Sequence, residues 1–215
     1  MQRNQPVSTD PIARAAEQQE WISPDVETGL QGAIKSAFNS MGDAGAQAKS
    51  FLHGEWMHEP LHAAITDVPI GAWTATVVFD SAAALSNRTE LDYAADATLY
   101  LGLVGAAASA VAGLTDWSEI RKPEPRRIGA VHALLNIGAT ALFASSCFAR
   151  HRGQNRAGGR ALAAAGFTLV ALSAHLGGNL VYEHGIGVQQ KNKSTASSGS
   201  THETEQGRCL DLDLD

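Results

Sequence analysis

Cysteine and positive charge are both scarce in this 215-residue sequence. Its two cysteines, Cys147 and Cys209, are too few for a disulfide framework, a zinc ribbon or a cysteine-held iron–sulfur cluster within the chain. Lysine and arginine number 16 against 22 acidic residues, which gives a formal net charge of −6, and they form no basic stripe. Because clustered lysine and arginine are needed to follow a phosphate backbone, nucleic-acid binding is not expected.

Charge of either sign is missing from three long stretches, 97–115, 128–149 and 161–182. Stretches of about 20 apolar residues match the roughly 30 Å hydrocarbon core of a bilayer. A fourth stretch, 65–85, carries only Asp67 and Asp80. The helices of a soluble bundle would keep a charged outer face, and these stretches have none, so we predict an integral membrane protein in contact with the lipid bilayer.

The predicted fold class is all-α, an up-and-down bundle of four membrane-spanning helices with an amphipathic helix before it and disordered tails around it. The boundaries are 1–25 for the amino-terminal tail, 26–53 for the amphipathic helix, 54–187 for the membrane domain and 188–215 for the carboxy-terminal tail. Within the membrane domain the spans are predicted at about 65–85, 95–114, 128–149 and 161–182. The polar amino-terminal segment has no apolar core, so no cleaved signal peptide is expected.

The predicted amphipathic helix carries its apolar residues on one face, at Val26, Leu30, Ile34, Phe38 and Met41. Such a helix either lies on the membrane surface or docks on the protein's own extramembrane side, and the sequence leaves both open. Four spans put both termini on one side of the membrane, called side A. Lysine and arginine are more numerous there than on the opposite side, side B, which favours a cytoplasmic side A.

Polar residues converge on side A. The histidines near the side A ends of the spans are His58, His62, His132, His175 and His184. The other polar residues at this depth are Asp67, Asp116, Asn136 and Asn179. Polar groups at membrane depth are costly and usually functional, so this convergence is the strongest functional signal in the sequence.

Two histidines have an asparagine four residues later, as His132/Asn136 and His175/Asn179. One interpretation is structural: His132 bonds to Asn179 and Asn136 bonds to His175, which joins spans three and four. The other interpretation makes the imidazoles ligands of a haem b or a transition metal, with the amides fixing their orientation.

The geometry of a bundle favours one ligand pair. Histidines on opposite faces of a haem need helices spaced more widely than packed neighbours, so diagonal first and third spans select His62 and His132. His175 is then a supporting residue, or the third ligand of a mononuclear iron, copper or zinc ion. Asp67, Asn136 and Asn179 would surround these ligands.

Two further patterns have structural interpretations. His58 to His62 fits the H-E-x-x-H pattern of zinc proteases, but Pro60 would break the required helix, so it is predicted to mark the turn into the first span. Asp80 and Asp96, near side B, are predicted to pair with Arg88 rather than to form a cation or proton site.

Small and aromatic residues also carry structural predictions. Small residues at four-residue spacing predict close helix contacts, at Gly105, Ser109 and Gly113 in span two and at Ala174 and Gly178 in span four. Aromatic residues at side A predict an interfacial belt, formed by Trp56, Trp117 and Tyr182.

Several segments together resemble a family of bacterial four-helix predicted membrane proteins, domain of unknown function 2231. The segments are 51–56, 61–62, 66–73, 113–117, 132–136, 176–182 and 185–188. The resemblance covers about 26–188 and implies a multi-pass protein of the bacterial inner membrane. Some members carry a Rieske-type iron–sulfur domain, which implies an electron-transfer setting and a Rieske-type or other redox partner.

The chain departs from the family pattern at two places. The pattern His-Pro-x-His-Pro aligns its first histidine with Glu59 and its second proline with Ala63, whereas His62 and His132 match the family. Many relatives carry the fourth-span histidine at the position of Asn179, and this chain has His175 one turn earlier. No Rieske motif follows the spans.

Three functions remain open from the sequence. The first is a haem- or metal-binding membrane protein of electron transfer that uses His62, His132 and His175. The second is a non-enzymatic scaffold or partner subunit, in which the histidines and asparagines only specify helix packing. The third is a small transporter or proton path that uses Asp67, Asp80, Asp96 and the histidines.

Overall fold

The computed structural model describes residues 8–86, 88–151 and 155–187, and every regular element among them is a helix. The elements are α1 (Pro11–Glu17), α2 (Pro24–Ser40), α3 (Gly42–His53), a 3-10 turn (Glu55–Met57), α4 (Leu61–Ser86), α5 (Thr89–Ser118), α6 (Pro123–His151) and α7 (Arg156–Tyr182). The predicted tail 188–215 and residues 1–7 of the other tail lie outside the described residues. The predicted all-α fold is confirmed.

Among the described residues, helices α4 to α7 are the four elements long and apolar enough to cross a membrane. They run alternately up and down, as predicted, and contain 26, 30, 29 and 27 residues. At 1.5 Å per residue they are about 40 Å long, which exceeds the roughly 30 Å hydrocarbon core. Each helix extends past its predicted span, and in α5, α6 and α7 the extra turns carry charged residues beyond the apolar region.

The bundle consists of two helical hairpins. Helix α4 packs along α5 and α6 packs along α7, while fewer contacts join one hairpin to the other. Helices α4 and α6 occupy diagonal positions, and their side chains meet in the centre. Trp73 of α4 stacks on Phe143 of α6 with ring centroids 4.1 Å apart. This stack forms the middle of the core, together with Leu99, Ala139 and Ala163.

Glycines allow the helices of each hairpin to approach closely. A Cβ atom on Gly102 would lie 2.3 Å from the Trp73 ring, and one on Gly105 would lie 3.0 Å from Pro69. The small-residue prediction is therefore confirmed in span two. It is wrong in span four, where Ala174 is exposed and a Cβ on Gly178 would meet nothing within 4 Å. In an alanine- and glycine-rich helix the four-residue spacing recurs on several faces, so it does not identify the buried one.

Helices α1 to α3 cover side A, the end of the bundle where α4 and α6 begin and α5 and α7 end. Residues 8–25 differ from the predicted disordered tail because α1 docks on the bundle. Asp10 caps α1 by accepting hydrogen bonds of 2.8 Å from the Ile12 and Ala13 amides. Ala13 and Ala16 are buried in a cluster with Ile128, Leu176 and Leu180. The composition of the segment is polar on average, so it does not indicate that two alanines form a short apolar face on α1.

The segment 26–53 forms two helices rather than one. The break lies at Gly42, whose φ of +57° is a left-handed conformation that favours glycine. Among the aromatic residues predicted for the side A belt, Trp56 and Tyr182 are exposed. The prediction is wrong for Trp117, which is buried and donates its indole N–H to the Arg126 carbonyl at 2.9 Å.

Candidate functional site

The imidazoles of His62 and His132 meet in the centre of the bundle near side A. His62 lies in the first turn of α4, and His132 lies in α6, so each hairpin contributes one ring. The ring centroids are 6.3 Å apart and the ring planes are nearly perpendicular, at 88°. The predicted pairing of these two histidines from diagonal helices is therefore present.

The His62 ring is held by the neighbouring helix α5. Its Nδ1–H donates to the Ser109 carbonyl at 2.9 Å, since a carbonyl oxygen can only accept. Thr66 Oγ1 lies 2.7 Å from the Ser109 hydroxyl and closes the polar group on that side. A Cβ at Gly113 would lie 2.7 Å from the imidazole, so a glycine is needed where the ring rests on α5. Because Nδ1 carries the proton, Nε2 keeps its lone pair.

The His132 ring is held in the same way by α7. Its Nδ1–H donates to the Ser173 carbonyl at 2.8 Å, and a Cβ at Gly177 would lie 3.2 Å from the ring. The Asn136 side-chain amide donates to His132 Nε2 at 3.1 Å. Asn136 thus contacts an imidazole as predicted, but the imidazole belongs to its own helix.

The two histidine environments occupy equivalent positions in the two hairpins. His132 follows His62 by 70 residues, and the same shift relates Phe143 to Trp73. In the partner helices a shift of 64 residues relates Ser173 to Ser109. The same shift relates the glycines that contact the rings, Gly102 with Gly166 and Gly113 with Gly177. The hairpins are therefore internal repeats, and the histidine pair straddles the pseudo-twofold axis between them.

Sequence reasoning missed Ser109 as a partner of His62, and Ser173 altogether. A signal for both exists in the shared pattern G-x6-S-A-x2-G, which spans 102–113 in α5 and 166–177 in α7. Comparing the chain with itself would have aligned the two serines and placed each opposite a histidine.

The remaining predicted site residues do not join the histidine pair. His175 is exposed and its Nε2 lies 2.6 Å from Asp10 Oδ2 of the segment before α1. Asn179 is buried, and its amide donates to Ser8 Oγ at 3.4 Å. Asp67 lies on the exposed surface of α4 and makes no hydrogen bond or ion pair with any described residue.

The crossed hydrogen bonds predicted between spans three and four do not form, since His132 bonds to Ser173 instead of Asn179. The prediction aligned the ends of the two uncharged stretches. The connection between α6 and α7 is centred near residue 153, which puts His132 level with about 175 rather than 179. An error of about one helical turn was enough to assign the wrong partner.

The side A histidines form separate pairs rather than one cluster. His53 lies 2.6 Å from Asp116 and His184 lies 3.4 Å from Glu17. Among residues 8–86, 88–151 and 155–187, no group of three or more His, Cys, Asp or Glu residues is arranged to hold a metal ion. Helix α4 begins at Leu61, directly after Pro60, so His58 and His62 do not share a helix and the predicted turn is confirmed.

Residues 58–190 match the family of predicted membrane proteins DUF2231. The chain belongs to this family. The match covers the four spanning helices and both central histidines, so this member of DUF2231 is a multi-pass membrane protein. No curated protein and no solved structure matches the chain.

A second polar group of this DUF2231 protein lies at the side B end of the bundle. Arg150 binds both carboxylate oxygens of the buried Asp80 and reaches Asp96 at 3.2 Å. The other contacts are Arg156 with Asp92 at 2.7 Å, Arg156 with Asp96 at 3.0 Å and Arg160 with Asp92 at 2.8 Å. The predicted ion pairing is present, but Arg88 is the wrong partner because it pairs with Glu90. Arginine side chains bind these aspartates, so the carboxylates are not free to carry protons. This weakens the proton-path interpretation.

Outside the spanning helices, two carboxyl groups have a lowered pKa. The hydrogen bond from the Ala13 amide holds the pKa of Asp10 below its ordinary value, and His175 beside it acts in the same direction. The hydrogen bond from Lys49, 2.6 Å away, lowers the pKa of Glu119, with Lys35 adding to it. Both carboxylates belong to the contacts that hold the side A helices on the bundle.

Proposed function

We propose that this protein binds one haem b between its two hairpins, with His62 and His132 as axial ligands, and that it transfers electrons in the membrane. The observation that supports the proposal best is the matched pair of imidazoles on the pseudo-twofold axis. Each ring has its Nδ1 proton bound by a backbone carbonyl of the adjacent helix. This leaves Nε2 as the ligating atom, the arrangement usual for metal-bound histidine.

The distance between the rings agrees with two ligands on one iron. With metal–nitrogen bonds of about 2 Å, ring centres on opposite sides of an ion lie about 6 Å apart. The observed separation is 6.3 Å, so His62 and His132 would together be able to hold one haem iron. Binding would require the Asn136 amide to release His132 Nε2.

The number of available ligands favours haem over a free metal ion. A mononuclear zinc, copper or iron site takes three or more protein ligands, and the described residues offer no such group. A porphyrin supplies four nitrogens itself, so two histidines are sufficient. Haem iron held by two histidines supplies one-electron redox chemistry, while the chain orients the ligands and excludes water.

The proposal includes a location and a partner. The lysine and arginine distribution favours side A in the cytoplasm, and the resemblance to a bacterial family implies the inner membrane. A Rieske-type or other redox protein would then meet the molecule at side A, because the histidine pair lies near that end. Protease added to sealed inverted vesicles should cleave the side A segments, and protection of these segments would reverse the orientation.

A non-enzymatic scaffold is the second candidate, and one contact favours it. The hydrogen bond from Asn136 satisfies His132 Nε2 without any ligand, as purely structural glue would. The variant Asn136→Ala distinguishes the haem protein from the scaffold. If haem binds at the histidine pair, this variant frees the ligating Nε2 of His132. Under the scaffold interpretation it only removes a contact worth about 0.6–2 kcal/mol.

The deciding experiment is an absorption spectrum of detergent-purified protein from haem-supplemented cells. We expect a Soret band and sharp reduced α and β bands at one haem per chain. His62→Ala and His132→Ala should each abolish binding or convert the spectrum to high spin. His175→Ala is the matched control and should keep the wild-type spectrum, because this residue faces Asp10. A folded, colourless preparation, or one that retains only a metal ion, contradicts the proposal.

A further inference from the structure

Helix α2 binds the bundle through a narrow face that carries two buried polar side chains, with Ile34 packed beside them against Trp117 and Ile120. Glu27 is 1% exposed and accepts from Arg126 Nε at 2.8 Å. Gln31 donates its side-chain amide to the Trp117 and Ile120 carbonyls at 2.9 and 3.0 Å. These carbonyls lie in the last turn of α5 and just beyond its end, where carbonyls no longer accept hydrogen bonds from the next turn of a helix. The docking face therefore fixes α2 beside the point where α5 leaves the membrane.

One flank of α2 next to this docking face is entirely apolar. At 100° per residue its members fall within an arc of about 80°. They are Val26, Leu30, Ala33, Ala37 and the adjoining Met41, and all are exposed. The large residues among them, Val26, Leu30 and Met41, are 61%, 49% and 55% exposed. We call this flank the α2 stripe.

The opposite flank of α2 is polar or glycine throughout. Its polar members are Asp25, Thr28, Lys35, Ser36 and Asn39. Such a helix is suited to a position where protein, lipid and water meet. Its docked face contacts the protein, its apolar flank can contact lipid and its polar flank can contact water. Since the bundle crosses a bilayer, the apolar flank has a lipid surface available beside it.

Other exposed apolar residues lie on the segments that adjoin α2 or pack against it. Trp21, just before α2, is 67% exposed. Phe51 stacks on Trp56 at 5.7 Å, and both are more than half exposed only a few residues before α4 enters the membrane. On α5 the exposed residues Val111 and Leu114 lead towards the end where α2 docks. Large aromatic residues of this kind anchor proteins at the membrane interface.

We propose that α2 lies in the plane of the membrane interface, with the α2 stripe inserted at the boundary of headgroups and acyl chains. The occupant of the stripe is lipid, and insertion is driven by apolar area. Electrostatic attraction contributes little, because the helix has one lysine, Lys35, which faces Glu119. This anchoring holds the side A helices over the bundle and does not depend on any cofactor.

The test compares two adjacent positions of α2 in the full chain. Ala37→Cys lies on the stripe and Ser36→Cys lies on the polar flank, each placed in a background with Cys147→Ala and Cys209→Ser. The proteins are labelled with bimane and reconstituted in phosphatidylcholine nanodiscs. We expect spin-labelled lipid to quench the label at 37 severalfold more than at 36, and aqueous iodide to show the reverse. Adding anionic lipid should change neither result.

Two outcomes overturn the proposal. Equal iodide quenching at positions 36 and 37 in nanodiscs would mean that the stripe faces water. Protection of position 37 from both quenchers in native membranes, followed by exposure to iodide after purification into nanodiscs, would identify a protein as the occupant. Wild-type thermal stability of both labelled variants is checked first, because these exposed sites contact no other element.

Discussion

The diagonal helices α4 and α6 carry one polar pair at each end of the bundle, and the two pairs differ in chemistry. His62 faces His132 at side A, and eighteen residues further along each helix Asp80 faces Arg150 at side B. At 1.5 Å per residue the pairs lie about 27 Å apart, close to the thickness of the hydrocarbon core. Equivalent positions of the two repeats thus hold identical residues at one end and opposite charges at the other.

The difference separates a structural pair from a candidate site. Asp80 and Arg150 satisfy each other, and the surrounding aspartates and arginines are equal in number, so the charges of the side B group balance without a ligand. Two identical imidazoles whose Nδ1 protons are already donated cannot satisfy each other's Nε2. Asn136 donates to the Nε2 of His132, so the Nε2 of His62 is the ligating atom that the pair leaves without a protein donor among the described residues. A polar residue at membrane depth is therefore better evidence of function when one of its ligating atoms has no protein partner. It is weaker evidence when neighbouring residues satisfy its hydrogen bonds and balance its charge.

The largest expected effect tests whether side B is purely structural. Arg150→Ala leaves the buried Asp80 carboxylate without its main partner, and we expect a loss of about 3–5 kcal/mol in the free energy of unfolding. Titration of the micelle-bound protein with SDS, followed by circular dichroism, measures this loss. The double variant Asp80→Ala, Arg150→Ala should recover part of it.

The matched control for that prediction is Arg88→Ala. Its pairing with Glu90 is loose, at 3.8 Å, and both side chains are about two-thirds exposed or more. The expected change is at most about 0.5 kcal/mol. If Arg150→Ala and Arg88→Ala have similar effects, the side B cluster does not stabilise the bundle and the contrast between its two ends fails.

The next effect in size concerns the aromatic layer between the two ends. A Cβ at Gly102 would lie 2.3 Å from the Trp73 ring, so Gly102→Ala should destabilise the protein by about 1–3 kcal/mol through overpacking. At the equivalent Gly166 the added carbon would lie 3.0 Å from Phe143, which predicts a smaller loss. Thermal unfolding in detergent ranks the variants. Gly71→Ala, with nothing within 4 Å, should be neutral or slightly stabilising, and a loss there would show a general intolerance of alanine.

A smaller effect is expected where α2 attaches to side A. Gln31→Ala removes two hydrogen bonds, one to the Trp117 carbonyl in the last turn of α5 and one to the Ile120 carbonyl just beyond it, and we expect a loss of about 1 kcal/mol. Hydrogen exchange should increase in α2 while α4 to α7 stay protected, because Gln31 bonds only to carbonyls at and just beyond the side A end of α5. The exposed Gln47→Ala is the control. Uniform exchange across the bundle would mean that α2 folds as one unit with the spanning helices.

The four spans and the central histidine pair were predictable from the sequence because both depend on coarse quantities. Long uncharged stretches identify spanning helices whatever their exact ends. The alternation of helix direction then places His62 and His132 at the same end, and their diagonal positions bring the rings together. An error of one turn changes neither conclusion.

Contacts that depend on register or on segments distant in the chain were not predictable in this way. His175 and Asn179 were assigned to the wrong partners because the midpoint between the ends of α6 and α7 lies one or two residues from the midpoint between the uncharged stretches. A shift of this size in the midpoint moves the residue level with His132 by about one helical turn. Asp80 pairs with Arg150 and not with Arg88. Arg88 is close to Asp80 in the sequence, but closeness in sequence does not determine which side chains face the inside of the bundle. The docking of α1 depends on a surface that only the folded α6 and α7 provide.

The smallest expected effect is a change in stability with pH at an exposed ion pair of side A, in contrast to the buried group of side B. The hydrogen bond from Lys49 holds the pKa of Glu119 below its unfolded value, so its contribution to stability is complete above the unfolded pKa. This contribution is lost as the pH falls from about 5 through the lower, folded pKa. Since Glu119 is 37% exposed, solvent screening limits the loss to about 0.5 kcal/mol or less. Comparing unfolding of wild type and Glu119→Gln between pH 7 and pH 4 measures the difference. The variant should be slightly less stable at pH 7 and converge with wild type in acid, whereas a constant offset at every pH would show that the contact acts through packing rather than charge.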